Sequence, residues 1–459
     1  MVDAMVNSVE DYLIDGLSFK LSPGASYVTD RRSVSFFTAG SNSYAPGVGT
    51  RVARINLTGD GWLDPSTVRL CYTLVNKVTG TGAAAKLLRP LSGPWCFLRR
   101  ARCMAGGAIV DDVDYYNRVH EMLHILTSKP NRDSDVVEGF GDRWDSDEVY
   151  GKWFSGSAPG TATYNESGIK GGESRPVSFK PLFGIFNQPK YIPLAYCPLT
   201  MEFEIVNNAY EPVMGINSAT AYTPDNTSNE WEITDVRIVC DVVTLDSALQ
   251  NSYAEHVLSG KALPINYGTY ISQYQTITRS GFTVTVTRAV SRLKSVFINF
   301  DSDHFADNMS GTNGIVHRTW NTFMGPMAGS DYTGGEYNYK KELQWQLQIG
   351  SKKFPEFPCR SLAETFYQLK KALGVHGSAF HSLSITPKQY RNDHFVIGVD
   401  TEKILEAGFT GMNTKAGDLM IVRGKGANDN MTDWAKSVYI ILHSDQILEI
   451  RDTGSQIFD

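Results

Sequence analysis

The stretch that decides the fold runs from residue 230 to residue 275, at the middle of the 459-residue chain. It begins with EWEITDVRIVCDVVTL (230–245), which is rich in the β-branched residues that strands favour. The period changes in DSALQNSYAEHVL (246–258), where Asp246 suits a helix N-cap and apolar residues recur every four positions. SGKALP (259–264) contains the Gly and Pro that end helices, and strand-like sequence resumes directly afterwards. This order predicts a hinge between two similar β-domains.

Length and composition fit two β-rich domains. A chain of 459 residues is too long for one compact core, so a division into two domains is expected. Tyr and Phe (22 each) and 41 Gly favour twisted sheets with many turns over helical bundles. The longest apolar runs fall short of the roughly eighteen residues that a membrane helix needs, and the N-terminus does not have the pattern of a secretory signal. The six cysteines have no regular spacing, which indicates free thiols in a reducing compartment.

The charge distribution argues against binding of nucleic acid through a basic arm. The net charge is −6, and the first seventeen residues contain four carboxylates (Asp3, Glu10, Asp11 and Asp15) but no Lys or Arg. Proteins that bind nucleic acid rely on cationic contacts with phosphates. The sequence therefore predicts an acidic, solvated N-terminal segment and no direct sequence-specific contact with nucleic acid.

Each half of the chain is predicted to contain strands, one helix and long Gly-rich loops. In the first half the helix covers 114–126 and is stopped by Pro130. In the second half it begins with a capping box at 361–364. Long loops are predicted at 131–176 and 301–335. Many short strands without a blade-length repeat are typical of jelly-roll sandwiches, not of propellers.

The clearest candidate for catalytic chemistry is the segment His120-Glu121-x-x-His124. Residues i and i+4 of a helix share a face, so two imidazoles could bind zinc while Glu121 acts as a general base. Arg118 would place a cation beside that metal, and no third ligand follows at the spacing that such motifs use. The competing interpretation is a surface or interface helix in which Val119 and its apolar neighbours pack.

Six segments outside the two predicted long loops carry a resemblance to a known family. They are GASYVTDRRSVSF (24–36), GWLDPST (61–67), YIPLAYCPLTMEFE (191–204), YAEHVLSGKALPI (253–265), PEFPCRSLAETFYQL (355–369) and GFTGMNTKAGD (408–418). These segments resemble parts of double jelly-roll major capsid proteins of the polinton-like virus, adintovirus and virophage type.

The resemblance implies an all-β fold of two consecutive eight-stranded jelly rolls, with one short helix inserted in each and long surface loops. The expected division is an N-terminal arm (1–25), a first jelly roll (26–250), a connecting segment (251–264) and a second jelly roll (265–459). The resemblance implies no catalytic residue, no cofactor-binding residue and no metal ligand in this chain.

The resemblance also implies a structural role in a virion. Three chains would form a homotrimer with six similar lobes, a pseudo-hexameric capsomer that tiles the icosahedral shell of a double-stranded DNA virus. The expected partners are neighbouring capsomers, a penton protein and minor or cement proteins. The resemblance makes no prediction about a membrane inside the shell. The expected location is the capsid shell, after synthesis in the host cell without a secretory signal. The alternatives are a zinc-dependent hydrolase using His120, Glu121 and His124, and a two-domain β-sandwich carbohydrate-binding protein.

Overall fold

The computed structural model of the protein consists mainly of antiparallel sheets. The residues that it describes are 27–47, 49, 51–79, 88, 90–135, 137–140, 169–213, 217–218, 221–222, 228–277, 281–301, 323, 325, 343–375, 383–392, 394–402, 410–415, 418–426 and 437–458.

The described strands and helices follow one another along both halves of the chain. The strands are β1 (Val28–Phe37), β2 (Ser43–Tyr44), β3 (Val52–Leu57), β4 (Trp62–Leu63), β5 (Arg69–Asn76), β6 (Leu98–Ala105), β7 (Ala108–Asp114), β8 (Ser174–Phe179), β9 (Ile192–Pro193), β10 (Leu199–Ile205), β11 (Asn217–Ser218), β12 (Ala221–Tyr222), β13 (Trp231–Leu245), β14 (Leu263–Thr276), β15 (Phe282–Val286), β16 (Leu293–Asp301), β17 (Leu343–Ile349), β18 (Lys352–Cys359), β19 (Ile397–Asp400), β20 (Met420–Gly426), β21 (Ser437–Arg451) and β22 (Gly454–Phe458). The α-helices are α1 (Tyr116–Ile125), α2 (Lys129–Asp135), α3 (Ser247–Leu258), α4 (Leu362–Ala372) and α5 (Pro387–Asn392), and short 3₁₀ turns lie at Pro65–Thr67, Pro94–Phe97 and Gly184–Phe186.

The first half of the chain forms a jelly roll, called here the first roll. Its two main sheets have the strand orders β1-β13-β5-β8 and β3-β10-β6-β7. Numbered by their order in the chain, these eight strands read 1-8-3-6 and 2-7-4-5, which is the arrangement of two Greek keys that defines a jelly roll. The short strands β2, β4 and β9 extend the first of these sheets.

The second half of the chain repeats this arrangement and is called the second roll. Its sheets have the orders β14-β21-β16-β19 and β15-β20-β17-β18, which again read 1-8-3-6 and 2-7-4-5. The additional strand β22 pairs with β21. The predicted pair of consecutive eight-stranded jelly rolls is therefore confirmed. The boundaries predicted at residues 25, 250 and 264 stay predictions, and residues 1–25 lie outside the described residues.

Alternation along the strands explains why these segments bury one face. Strand β10 alternates buried apolar residues with half-buried polar ones, and β17 has the same pattern. Successive side chains of a strand point to opposite faces, so one face of each sheet enters the core. Most of the buried apolar side chains of both rolls form one continuous cluster, and Trp62, Val243 and Leu245 form a second, smaller one. The six cysteines are free thiols within these sheets and turns.

The caps predicted for two helices are present. Asp246 precedes α3, and its side chain accepts a hydrogen bond of 3.1 Å from the backbone N of Ala248. Ser361 precedes α4, and its Oγ accepts a hydrogen bond of 3.1 Å from the backbone N of Glu364. These bonds satisfy N–H groups that have no partner inside the helix. Among the described residues, no helix is long and apolar enough to span a membrane.

The structure corrects the two ends of the predicted loop at 131–176. Helix α2 includes Pro130 near its start, because proline is compatible with the first turn of a helix, where its missing N–H is not needed. Strand β8 occupies the other end of the predicted loop. The middle of that loop (141–168) lies outside the described residues. So does most of the predicted loop at 301–335, from which Phe323 forms a bridge with His394.

Candidate functional site

The candidate functional site is the buried contact between the two rolls, called here the inter-roll interface. The first roll contributes β7, α1 and the turn Gly184–Phe186, and the second roll contributes β14, β16 and β21. Helix α1 carries the His120-Glu121-x-x-His124 segment, so the predicted catalytic candidate lies at this interface. Tyr115, the residue before α1, stacks on the ring of Tyr274 in β14 at 5.4 Å between ring centroids.

Arg118 of α1 crosses from the first roll into the second. Its side chain is only 2% exposed. Its Nε donates a hydrogen bond of 2.7 Å to Oδ1 of Asn299, and its Nη2 donates to the backbone oxygen of Phe300. Its Nη1 lies 3.8 Å from a carboxylate oxygen of Asp301. A buried guanidinium is tolerated when its donors are satisfied, and here the second roll supplies these acceptors.

Aromatic rings of the second roll flank the same guanidinium. Its carbon lies 4.5 Å from the ring centroid of Tyr439 and 4.7 Å from that of Phe323. A cation over an aromatic face is attracted by the negative charge density of the ring. Met122, one helical turn after Arg118, accepts a hydrogen bond through its sulfur from the Asn299 amide at 3.3 Å. The stripe formed by positions 118 and 122 therefore faces the second roll.

Strand β7 makes a second set of polar contacts across the interface. Oδ1 of Asp111 accepts a hydrogen bond of 2.5 Å from Oγ1 of Thr269. The hydroxyl of Tyr267 donates to the backbone oxygen of Val110 at 3.0 Å. Close backbone approach adds to this contact, because a Cβ atom on Gly184 would overlap the carbonyl oxygen of Gly268. These contacts fix the position of one roll against the other at several points.

Burial perturbs the ionisation of Asp111. Removal of the carboxylate from water raises its pKa to about 7, and the hydrogen bonds from Thr269 and from the backbone of the Gly184–Phe186 turn offset part of that effect. A carboxylate with such a pKa changes its charge near neutral pH. The inter-roll interface therefore contains a proton-binding group whose ionised form is disfavoured by the fold.

The side chains of the proposed zinc motif are engaged in packing and hydrogen bonds within the first roll. The carboxylate of Glu121 accepts a hydrogen bond of 2.7 Å from Nε1 of Trp95 and another from the hydroxyl of Ser92, and all three residues are buried. The ring of His120 stacks on Trp95 at 4.1 Å, and the ring of His124 lies 4.7 Å from the same indole. Burial lowers the pKa of His120 to about 4 and that of His124 to about 3, so both rings are neutral at pH 7.

The geometry of the motif agrees with the interpretation as an interface helix. Val119 and Met122 are buried, and Leu123 packs partly buried against the core. Glu121, the proposed general base, is a buried hydrogen-bond acceptor for Trp95. Within the part of the chain that the structure describes, no group of three or more His, Cys, Asp and Glu side chains is arranged to hold a metal ion.

Sequence reasoning named Arg118 only as a cation that would disfavour zinc, and it missed Asp111, Gly184 and Thr269. Arg118 and its partner Asn299 are 181 residues apart, so no local pattern joins them. One signal was present. Arg118 lies within the apolar stripe of a helix, and a charged residue in such a stripe is almost never buried without a partner. A partner for Arg118 elsewhere in the chain is therefore expected.

Comparison with known proteins gives structural matches. No family model matches the sequence, and no curated protein matches it. The PBCV-1 virus capsid structure matches with a TM-score of 0.57 and 13% identity, over 96% of this chain and 99% of that chain. The Sputnik virophage structure matches with a TM-score of 0.55 and 10% identity, over 96% and 90%. The Faustovirus major capsid protein matches with a TM-score of 0.51 and 8% identity, over 94% and 92%.

The chain has the double jelly-roll fold of viral major capsid proteins. The matches span nearly all of both chains in each case, so they include both rolls. At these identities the likeness concerns the fold.

We expect Arg118→Met to lower the free energy of unfolding by about 3 kcal/mol, because Met fills similar space but donates nothing to the acceptors of the second roll. The measurement is urea denaturation of wild-type and variant chains. Arg31→Met is the matched control, since Arg31 also contacts two carboxylates, Asp64 and Asp241, but lies at the surface. Its loss should be much smaller, and equal losses for both variants would contradict the role of the buried contact.

We expect Asp111→Asn to change how stability depends on pH. A pKa raised from its ordinary value of 3.8 to about 7 means that ionisation favours the unfolded chain. The wild type should therefore lose stability relative to the variant as the pH rises from 4 through 7, and the loss should level off about one pH unit above the folded-state pKa. Thermal unfolding midpoints across this range test the prediction, with Asp112→Asn as a control for removal of a neighbouring carboxylate. A difference between wild type and Asp111→Asn that stays constant from pH 4 to 7 would contradict it.

We expect replacement of both His120 and His124 by Ala to lower stability by roughly 2 kcal/mol or more at pH 7, because the rings that pack on Trp95 are lost. Both pKa values are lowered in the folded state, so the wild type should lose stability as the pH falls below about 6.5. The deficit of the variant should therefore shrink toward pH 5 in thermal unfolding. Metal analysis of both proteins adds a second readout, and zinc bound by the wild type but absent from the variant would refute a packing role.

Proposed function

We propose that the protein is the major capsid protein of an icosahedral double-stranded DNA virus. The observation that carries this proposal is the pair of jelly rolls with the same strand order, joined by a buried polar interface. Such a chain has two similar lobes that are held together by direct contacts. The likeness to the PBCV-1 capsid and to the Sputnik virophage structure over both rolls supports the same role.

Three copies of the chain would form a capsomer with six lobes. An odd number of identical subunits needs heterologous contacts that close into a ring. Two similar lobes in each subunit make that ring pseudo-hexameric, and hexagonal units can tile the facets of an icosahedral shell. The proposed location of the protein is therefore the capsid shell. Neighbouring capsomers, a penton protein and minor or cement proteins are the proposed partners.

Surface charge supports a shell protein that does not bind the genome in a sequence-specific way. On the outer face of the sheet β3-β10-β6-β7, cations are paired with carboxylates. Arg54 and Arg102 lie 2.9 and 3.4 Å from Glu202, and Arg100 lies 2.6 Å from Asp112. Paired cations attract phosphates weakly, and the net charge of −6 has the same consequence.

We expect the purified chain to have the native mass of a trimer, about three times 50.8 kDa or 152 kDa, or to form larger shell-sized particles. Multi-angle light scattering measures this mass, and negative-stain electron microscopy should show six lobes per particle. A carbohydrate-binding pair of β-sandwiches should instead be a monomer of 50.8 kDa. A monomer at all concentrations tested would overturn the capsid proposal.

A further inference from the structure

The contact between the two rolls within the chain is heterologous. The first roll uses its fifth strand and the helix that follows it, β7 and α1, whereas the second roll uses the sheet that begins with its first strand, β14. Both rolls have the same topology, so each also has the side that the other one uses. The second roll therefore has its own equivalents of β7 and α1, which are β18 and α4. The first roll retains an equivalent of β14, which is β1.

The two equivalent helices differ sharply in burial. Seven of the ten residues of α1 are buried, because α1 lies between its own roll and the second roll. Only two of the eleven residues of α4 are buried, and these face its own roll. Tyr367 of α4 is 50% exposed. Helix α4 thus packs on one side only, as α1 would if the second roll were removed.

The strands before these helices show the same difference. Asp111 in β7 and Phe357 in β18 each lie five residues before the first residue of the following helix. Asp111 is buried against Thr269 of the second roll. Phe357 is 80% exposed, the largest exposure of any large apolar side chain in the described residues. The strand that is equivalent to β7 therefore presents a large apolar side chain that is available for contact with another molecule.

The first strands of the two rolls provide the complementary observation. In β14, the polar residues Thr269 and Ser272 are buried because the first roll covers them. In β1 no residue is buried, and Phe37 at its end is 62% exposed. The first strand, which the other roll covers in the second roll, therefore has no buried residue in the first roll.

We infer that β18 and α4 of one copy of this chain pack against the β1 side of the next copy, with Phe357 and Tyr367 as the apolar contact residues. This inference rests on the proposed trimer and names the surfaces that build it. The occupant is a second copy because the complementary side is present on the same chain and is uncovered. A heterologous contact of this kind repeats from copy to copy and closes into a ring.

The first test changes the two sides of this contact in the full-length chain. Phe357→Asp and Phe37→Asp should each convert the trimer of about 152 kDa into a 50.8 kDa monomer, because every contact in the ring contains both residues. The circular dichroism spectrum should match that of the wild type, since both side chains lie at the surface, and the unfolding midpoint should fall only by the stabilisation that trimer formation adds. Leu258→Asp, at a 69% exposed position at the end of α3, is the matched control and should remain a trimer.

A second test traps the contact chemically. The double variant Phe37→Cys with Phe357→Cys, treated with a flexible bis-maleimide, should yield covalent species up to three chains on a denaturing gel. Each single-cysteine variant should yield none, which also controls for the native cysteines, five of them buried and Cys71 half-buried. Products that stop at two chains would indicate a two-fold contact and would overturn the inference.

The outcomes separate this inference from the capsid proposal. A wild-type trimer that survives Phe357→Asp would overturn the inference and leave the proposed function standing. A wild-type chain that is itself a monomer would overturn the proposed function and the inference together.

Discussion

The buried guanidinium of Arg118 is the contact on which the two-lobed structure depends. A charged side chain removed from water is strongly destabilising unless nearby groups satisfy it. The donor belongs to a helix of the first roll, whereas the acceptors at Asn299 and Phe300 belong to a strand of the second roll. Neither roll satisfies this group alone. The two lobes are therefore held in one relative orientation by a contact that is incomplete in either half.

The contrast between the inter-roll interface and its bare equivalent has a physical basis. Within one chain the two surfaces always meet, so buried polar groups such as Arg118 and Asp111 are never left without their partners in the folded state. In the proposed trimer, the surfaces that meet between copies would be exposed before assembly, and a buried charge would be left unpaired at every imperfect encounter. Apolar residues such as Phe357 and Tyr367 tolerate both states, because water contact costs them less than an unpaired charge would cost inside the protein.

Local patterns in the sequence predicted much of the fold. The β-branched content of residues 230–245 predicted β13, and capping residues predicted the starts of α3 and α4, because these signals are local in the chain. The strand order could be predicted only from the family resemblance, because pairing joins strands that are up to about 200 residues apart in the chain. The error at α2 came from treating Pro130 as a stop, although proline fits the first turn of a new helix.

The site was harder to predict because spacing identifies a helix face but not what covers that face. The i, i+4 relation that made His120 and His124 a zinc candidate also joins Arg118 to Met122 on the same helix. In the structure, the first pair packs on Trp95 of its own roll, and the second pair faces Asn299 of the other roll. A helix enclosed on two sides carries two such stripes. Whether a stripe binds a metal or a protein surface depends on residues far away in sequence, so the same spacing is compatible with either role.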